Sequence, residues 1–98
     1  MLEKAKKLWQ LQSKAKAIQR ELRELSFEGS ELGGKVKVMV DGEQKILSVE
    51  IAEELLDPAE KIAVEKFVRQ AANAAIVRAQ QASAQKMKSV AGDLGLGI

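Results

Sequence analysis

The chain has 98 residues, with one tryptophan, two phenylalanines, no histidine, no cysteine and a formal net charge of +2. Its length fits one small domain, and the missing residue types exclude imidazole catalysis, cysteine nucleophiles, disulfides and metal sites built from thiolate or imidazole. So few aromatic residues also disfavour a nucleic-acid reader made of exposed base-stacking platforms.

No apolar run approaches the roughly 18 to 20 residues that span a bilayer. The first residues, "MLEKAKKLWQLQSK", lack the continuous apolar core of a signal peptide. These two features predict a cytoplasmic protein with no membrane partner.

The charge is distributed unevenly along the chain. Residues 1–25 carry seven bases and three acids, residues 26–66 carry five bases and ten acids, and residues 67–90 carry four bases and no acid. Two basic ends therefore flank an acidic middle, which is a pattern that favours an anionic partner.

A helix is predicted over residues 2–25, because apolar side chains recur there at alternating intervals of three and four. This heptad seam consists of Leu8, Leu11, Ala15, Ile18, Leu22 and Leu25. The period suits either packing within the same domain or a helix shared with a second chain, and the sequence leaves both possibilities open.

The middle of the chain predicts three strands between residues 26 and 52. Val36, Val38 and Val40 alternate with polar or exposed positions, and Leu47, Val49 and Ile51 do so on the return strand. Two of these strands form a predicted antiparallel hairpin, residues 34–40 and 44–52, joined by Asp-Gly in a type I′ turn. A shorter strand around "LSFEG" precedes the turn-rich segment "GSELGG", whose expected role is chain reversal.

A second long helix is predicted over residues 58–91, followed by a flexible Gly-rich tail at 92–98. Asp57 is placed to cap it, Pro58 suits the first helical position, and Glu60 follows the cap by three residues. Its length predicts that the acid-free second half projects beyond the sheet. The alanines from residue 71 to residue 84 support the helix and permit close backbone approach.

The sequence offers little for catalysis. "EGSELGG" lacks the ending of a phosphate-binding loop, the acids at 53, 54 and 57 are better explained as a solvated helix entry, and no serine has a histidine to activate it. We therefore expect no enzyme activity, no cofactor, no metal and no small-molecule substrate.

The order and spacing of these elements resemble the YbaB/EbfC family of bacterial nucleoid-associated proteins. The resemblance rests on "LWQLQSKAKAIQRELREL", "FEGSELGGKVKVMVDGEQKILSVEI", the "LLDP" helix entry and "AANAAIVRAQQASAQKMKSVAGDLG". It implies an α+β fold of order α-β-β-β-α, in which two long helices flank a three-stranded antiparallel sheet. It further implies a tweezer-like homodimer that binds double-stranded DNA in the nucleoid, with weak sequence preference and roles in nucleoid organisation and gene regulation.

The candidate DNA-binding residues are the bases of the two helices. They are Lys4, Lys6, Lys7, Lys14, Lys16, Arg20 and Arg23 on the first helix, and Arg78, Lys86 and Lys88 on the second. Arg78, Gln81, Gln85 and Lys88 are spaced to line one stripe. We expect contacts mainly to phosphates and little base specificity. The rival hypothesis is a dimeric scaffold whose basic helices bind an acidic protein.

A second set of residues is predicted to pack within the domain or across a dimer. It consists of Leu8, Leu11, Ile18, Leu22 and Asn73. Asn73 lies among small residues, where a buried amide can satisfy backbone groups of a neighbouring strand or fix the register of a dimer.

Overall fold

The computed structural model describes residues 2–93 and residue 95. The chain forms α1 (Leu2–Glu24), β1 (Ser26–Glu31), β2 (Val36–Asp41), β3 (Ile46–Ile51) and α2 (Lys61–Asp93), with short 3₁₀ turns at Leu32–Gly34, Glu53–Leu55 and Pro58–Glu60. The predicted α-β-β-β-α order is confirmed. None of the helices in the described ranges is long and apolar enough to cross a membrane.

The three strands form an antiparallel sheet in the order β1-β2-β3. In the register of β1 and β2, Phe27 pairs with Val40, Gly29 with Val38 and Glu31 with Val36. The side chains of Val36, Val38 and Val40 are fully buried. The predicted alternation of strand β2 is therefore confirmed, and its valine face forms the centre of the core.

Helix α2 covers this valine face with its alanines. Ala71, Ala75 and Ala79 recur every four residues and are fully buried against the sheet. A Cβ added to Gly29 would lie 1.8 Å from the carbonyl oxygen of Ala71, so β1 and α2 meet almost backbone to backbone. Tight packing thus accounts for these three alanines, as the sequence predicted.

The hairpin between β2 and β3 differs from the predicted type I′ turn. Gly42 does not have a positive φ, and the left-handed residue is Gln44, with φ 71°. The Gln44 amide donates to the Asp41 carbonyl at 3.0 Å, and the Asp41 amide donates to the Lys45 carbonyl at 2.9 Å. The connection is therefore a three-residue loop ending in a left-handed residue.

Position 42 requires glycine because the backbone of Leu22 lies directly beside it. Its amide donates to the Leu22 carbonyl at 2.8 Å, and an added Cβ would lie 2.5 Å from that oxygen. Asp41 fixes the loop from inside, since its Oδ1 accepts from the amides of Glu43 and Lys45 at 2.8 and 3.0 Å. The hairpin tip consequently anchors the end of α1.

The entry to α2 matches the predicted cap. Asp57 Oδ1 accepts from the Ala59 amide at 2.8 Å, with Pro58 at the start of the first turn. That turn is 3₁₀, and the α-helix proper begins at Lys61, slightly later than predicted. At its other end α2 continues to Asp93, and the Gly95 amide donates to the Gly92 carbonyl at 3.0 Å. The remainder of the predicted flexible tail, residues 94 and 96–98, lies outside the described residues.

Helix α1 packs against α2 and not across the sheet. Lys86 Nζ lies 3.1 Å from Glu21 Oε2, and Ile18 lines the same groove as Ser89 and Val90. Residues earlier in α1 thus lie beside residues later in α2, so the two helices are antiparallel. Gln80 Nε2 contacts Gln44 Oε1 at 3.4 Å, which marks where the sheet ends along α2.

The predicted heptad seam is divided by this arrangement. Ile18 and Leu22 are buried within the chain, Leu11 and Ala15 are half-buried, and Leu8 remains 62% exposed. Ile18 and Leu22 therefore pack on their own domain, whereas Leu8 is left uncovered by the described residues and Leu25 is 39% exposed.

Strand β3 is an edge strand of the sheet, and its apolar side chains are only partly covered. Val49 pairs with Val38 and Ile51 with Val36, so these side chains point to the same side as the core valines. Helix α2 packs on β1 and β2, and Ile46, Leu47 and Val49 remain about half exposed, at 52, 53 and 48%. Among the described residues, the helices therefore cover the apolar face of β1 and β2 but leave that of β3 partly exposed.

Candidate nucleic-acid interface

The molecule has a projecting helical part that we call the arm, formed by residues 2–24 of α1 and 78–93 of α2. At 1.5 Å per residue, α1 is about 35 Å long and α2 about 50 Å, and the molecule extends 65 Å in one direction but only 20 and 17 Å in the others. The predicted projection of α2 beyond the sheet is present, with α1 lying alongside it.

The arm concentrates the positive charge of the protein. It contains ten bases and four acids, a net charge of +6, while the rest of the chain carries six bases and ten acids, a net charge of −4. All ten candidate DNA-binding residues lie on it. Folding therefore preserves the segregation of charge seen in the sequence and produces a molecule with a basic arm and an acidic body.

Most of the candidate bases on α1 are free to meet a ligand. Within the described part of the chain, the α1 lysines and Arg20 are exposed and form no ion pair. These side chains are those of Lys4, Lys6, Lys7, Lys14, Lys16 and Arg20. Arg23 differs, because its guanidinium pairs with the Glu43 carboxylate of the β2–β3 loop.

On α2, the predicted stripe of Arg78, Gln81, Gln85 and Lys88 is exposed along its whole length. Lys86 lies elsewhere. It is half-buried in the groove between the two helices, and its ammonium is held by Glu21. The structure thus separates Arg78 and Lys88, which face solvent, from Lys86, which joins α2 to α1.

Asn73 lies on the exposed side of α2. Its side chain forms no hydrogen bond to a strand among the described residues, so the predicted role in bonding a neighbouring strand is wrong within one chain. The other suggested role, setting the register of a dimer, stays a prediction.

One exposed side chain on the arm was not among the predicted site residues. Trp9 is 69% exposed and lies on the side of α1 that faces away from α2. The signal was present in the sequence, because Lys6, Trp9, Ser13, Lys16 and Arg20 are spaced three and four residues apart. This second stripe lies on the side of α1 opposite the apolar heptad seam.

Among the described residues, no group of acidic side chains is arranged to hold a metal ion. What the arm presents is a set of exposed ammonium and guanidinium groups along two helices, with glutamine and serine between them. Such a surface is suited to phosphate oxygens, which accept from charged and neutral donors alike. Fold and charge together define a small α+β protein with a basic helical arm.

Comparison with known proteins identifies the family of this chain. Residues 1–94 match the model of the YbaB/EbfC DNA-binding family, so the chain belongs to that family. It is a DNA-binding family and not an enzyme family.

Individual relatives agree with this membership. The chain is 39% identical over 87 residues to a nucleoid-associated protein of Rhodopseudomonas palustris strain BisB5, covering 89% of this chain and 82% of the relative. It is 34% identical over 86 residues to a nucleoid-associated protein of Syntrophobacter fumaroxidans, covering 88% and 78%. A nucleoid-associated protein of an Exiguobacterium species is 44% identical over 69 residues, covering 70% and 66%.

A solved structure shares the fold. The crystal structure of an uncharacterized protein from Helicobacter pylori superposes with a TM-score of 0.66 over 89% of this chain and 96% of that one, at 18% identity. At this identity the likeness shows the arrangement of helices and strands alone.

Proposed function

We propose that this protein binds double-stranded DNA as a homodimer in the bacterial nucleoid, mainly through phosphate contacts made by the arm. The observation that carries the proposal is the segregation of charge, with +6 on the arm and −4 on the body. Membership of a DNA-binding family and the names of its nucleoid-associated relatives support the same ligand.

The free cations support phosphate contacts as the main source of affinity. Eight of the ten candidate bases form no ion pair among the described residues, so binding DNA would not require breaking an existing pair. Each phosphate that they neutralise releases counterions, which favours binding and makes it sensitive to salt.

Low sequence specificity follows from the kind of side chain on the arm. Six of the eight free bases are lysines, whose flexible point charges suit phosphates better than the bidentate recognition of a base edge. A protein of this kind would bind along many sequences, which suits a role in nucleoid organisation and, through it, in gene regulation.

The homodimer is supported by apolar surface that one chain leaves uncovered. Ile46, Leu47 and Val49 are half exposed on an edge strand, and such an edge is prone to pair with another chain. Leu8, a separate position on the heptad seam of α1, is also 62% exposed. A second copy of this chain would cover these side chains and double the number of arms.

Removing the exposed cations of α2 tests the phosphate contacts. We expect the double substitution Arg78→Ala with Lys88→Ala to weaken binding to any duplex and to reduce the slope of log K against log salt by about 1 for each lost contact. The measurement is the fluorescence anisotropy of a labelled random-sequence duplex across a salt series.

The matched control is the double substitution Lys35→Ala with Lys61→Ala. Both lysines are exposed and both lie off the arm, paired with Glu54 and Glu65. The net charge changes by the same amount, so only a loss that is specific to the arm supports the proposal. Equal salt slopes for the two double variants would refute it.

The alternative function is a dimeric scaffold whose basic arm binds an acidic protein. The same cations favour it, and the duplex titration separates the two hypotheses. If the folded, dimeric protein fails to bind duplex DNA at low salt, the scaffold hypothesis replaces the one proposed here.

A further inference from the structure

Among the described residues, Trp9 is the one aromatic side chain that is exposed to solvent. Phe27 and Phe67 pack against the buried core, whereas Trp9 is 69% exposed on the projecting part of α1. Exposing a ring of this size to water is unfavourable. A ligand that covers the ring would therefore gain free energy by removing it from water.

The surroundings of Trp9 on α1 are basic. Lys6, Ser13, Lys16 and Arg20 share its face of the helix and are all exposed, and no acid lies on this face between Lys6 and Arg20. Trp9 precedes the buried Ile18 by nine residues, or two and a half helical turns, so the face points directly away from α2. We call these five residues the tryptophan stripe.

A second copy of the chain is a poor partner for the tryptophan stripe. Two identical stripes placed against each other would bring three cations of one copy close to three cations of the other, and like charges in contact are unfavourable. The uncovered apolar surface suited to a second copy lies elsewhere, on β3 and around Leu8. Charge complementarity therefore points to a polyanion as the partner of this face.

We infer that the indole ring of Trp9 inserts into bound DNA and stacks on its bases, while Lys6, Lys16 and Arg20 hold the phosphates on either side. This inference rests on the proposed function and adds a contact of a different kind. The cations bind by electrostatic attraction, whereas the ring binds by stacking and by removal of apolar surface from water.

Insertion of the Trp9 ring also predicts which DNA binds best. Inserting a side chain between base pairs requires partial unstacking, which costs free energy in a regular duplex. That cost is smaller where the stack is already interrupted or flexible. Duplexes that contain a bulged base should therefore bind more tightly than fully paired duplexes of the same length and charge.

The experiment is a fluorescence titration of the full-length protein. Trp9 is the only tryptophan and there is no tyrosine, so emission excited in the indole band reports on this residue alone. We titrate the protein with a 20-base-pair duplex, fully paired or with one central bulged base, and follow indole emission together with the anisotropy of labelled DNA.

The expected result is strong quenching of the indole on binding, larger with the bulged duplex. Trp9→Ala should weaken binding to the bulged duplex by about tenfold or more, as loss of a stacked aromatic does, while leaving the salt slope unchanged because no charge is lost. Trp9→Phe should recover part of the affinity, and Ile62→Ala, which removes an 80% exposed apolar side chain off the arm, should behave as the unmodified chain.

Three outcomes would overturn the inference in distinguishable ways. Binding with unchanged indole emission and an unaffected Trp9→Ala variant leaves the proposed function in place and removes the role of Trp9. Blue-shifted emission in the free protein shows that protein already buries the ring, and also removes that role. Failure of the unmodified, folded protein to bind either duplex at low salt refutes the proposed function together with the inference.

Discussion

At the scale of single residues, two glycines determine how closely the elements approach. Gly29 allows β1 to lie against the backbone of α2 at Ala71, and Gly42 allows the β2–β3 loop to lie against α1 at Leu22. Neither has a positive φ. Both positions require glycine because a side chain would occupy space that a neighbouring backbone already fills.

Gly29→Ala should therefore destabilise the fold strongly. The added Cβ would lie 1.8 Å from the Ala71 carbonyl oxygen, and because that atom belongs to a helix backbone, α2 would have to move away from the sheet. We expect a loss of at least about 2 kcal/mol in the free energy of unfolding, measured by urea denaturation at fixed protein concentration.

Gly92→Ala is the control for this prediction. Gly92 lies in the last turn of α2 with nothing within 4 Å of an added Cβ, so alanine should leave stability unchanged or raise it by about 0.5 kcal/mol. If both variants were equally stable, the close approach of β1 and α2 would not be a constraint on this protein.

At the scale of secondary-structure elements, α2 connects the core to the arm. Its first part covers the valines of β2 with alanines, and its last part carries Arg78 and Lys88 into solvent. The α2 part of the basic arm is therefore the end of a helix whose start is capped by Asp57.

Asp57→Ala should weaken the start of α2. The substitution leaves the Ala59 amide without its 2.8 Å partner and removes a negative charge from the positive end of the helix, so we expect a loss of about 1 kcal/mol. Thermal unfolding followed by circular dichroism measures it. Glu53→Ala removes the same charge from an exposed side chain nearby and should have a much smaller effect; equal losses would count against the cap.

At the scale of the whole molecule, the basic arm and the uncovered β3 edge are separate features that the proposed homodimer would join. On the arm of one chain, eight candidate bases form no ion pair among the described residues, and a dimer would present twice as many to one duplex. Binding at many phosphates at once is what makes association with DNA strong at low salt and steeply dependent on it.

Val49→Lys should separate the two copies and thereby reduce DNA binding. Val49 is half exposed on the helix-facing side of β3, and an ammonium group buried there in an interface would lose its hydration. We expect a monomer by sedimentation velocity, with a salt slope for duplex binding about half that of the unmodified protein.

Ser48→Lys adds the same charge on the opposite side of the same strand, where Ser48 is exposed and pairs with Met39. This control should sediment and bind DNA like the unmodified protein. A Val49→Lys variant that remained dimeric would show that β3 is not the surface that joins two copies.

The secondary structure and the charge distribution of this protein largely follow from its sequence alone. Period, capping and turn residues near one another in the chain determine the two helices, the three strands and the cap at Asp57, because each depends on local backbone preference and on which face is apolar. The basic ends and acidic middle are likewise a property of composition, and the fold keeps them apart.

Other features depended on contacts between distant parts of the chain, and only the tertiary structure decided them. Asp41-Gly42 predicts a type I′ turn by local preference, but the approach of Leu22 sets the conformation of Gly42 and moves the left-handed residue to Gln44. Lys86, one of the predicted DNA-binding residues, lies in the groove between the two helices and pairs with Glu21. Local patterns contain no information about which neighbour a side chain meets across the fold. Which cations form ion pairs, and how much of the β3 edge is covered, is therefore decided only when α1, α2 and the sheet pack together.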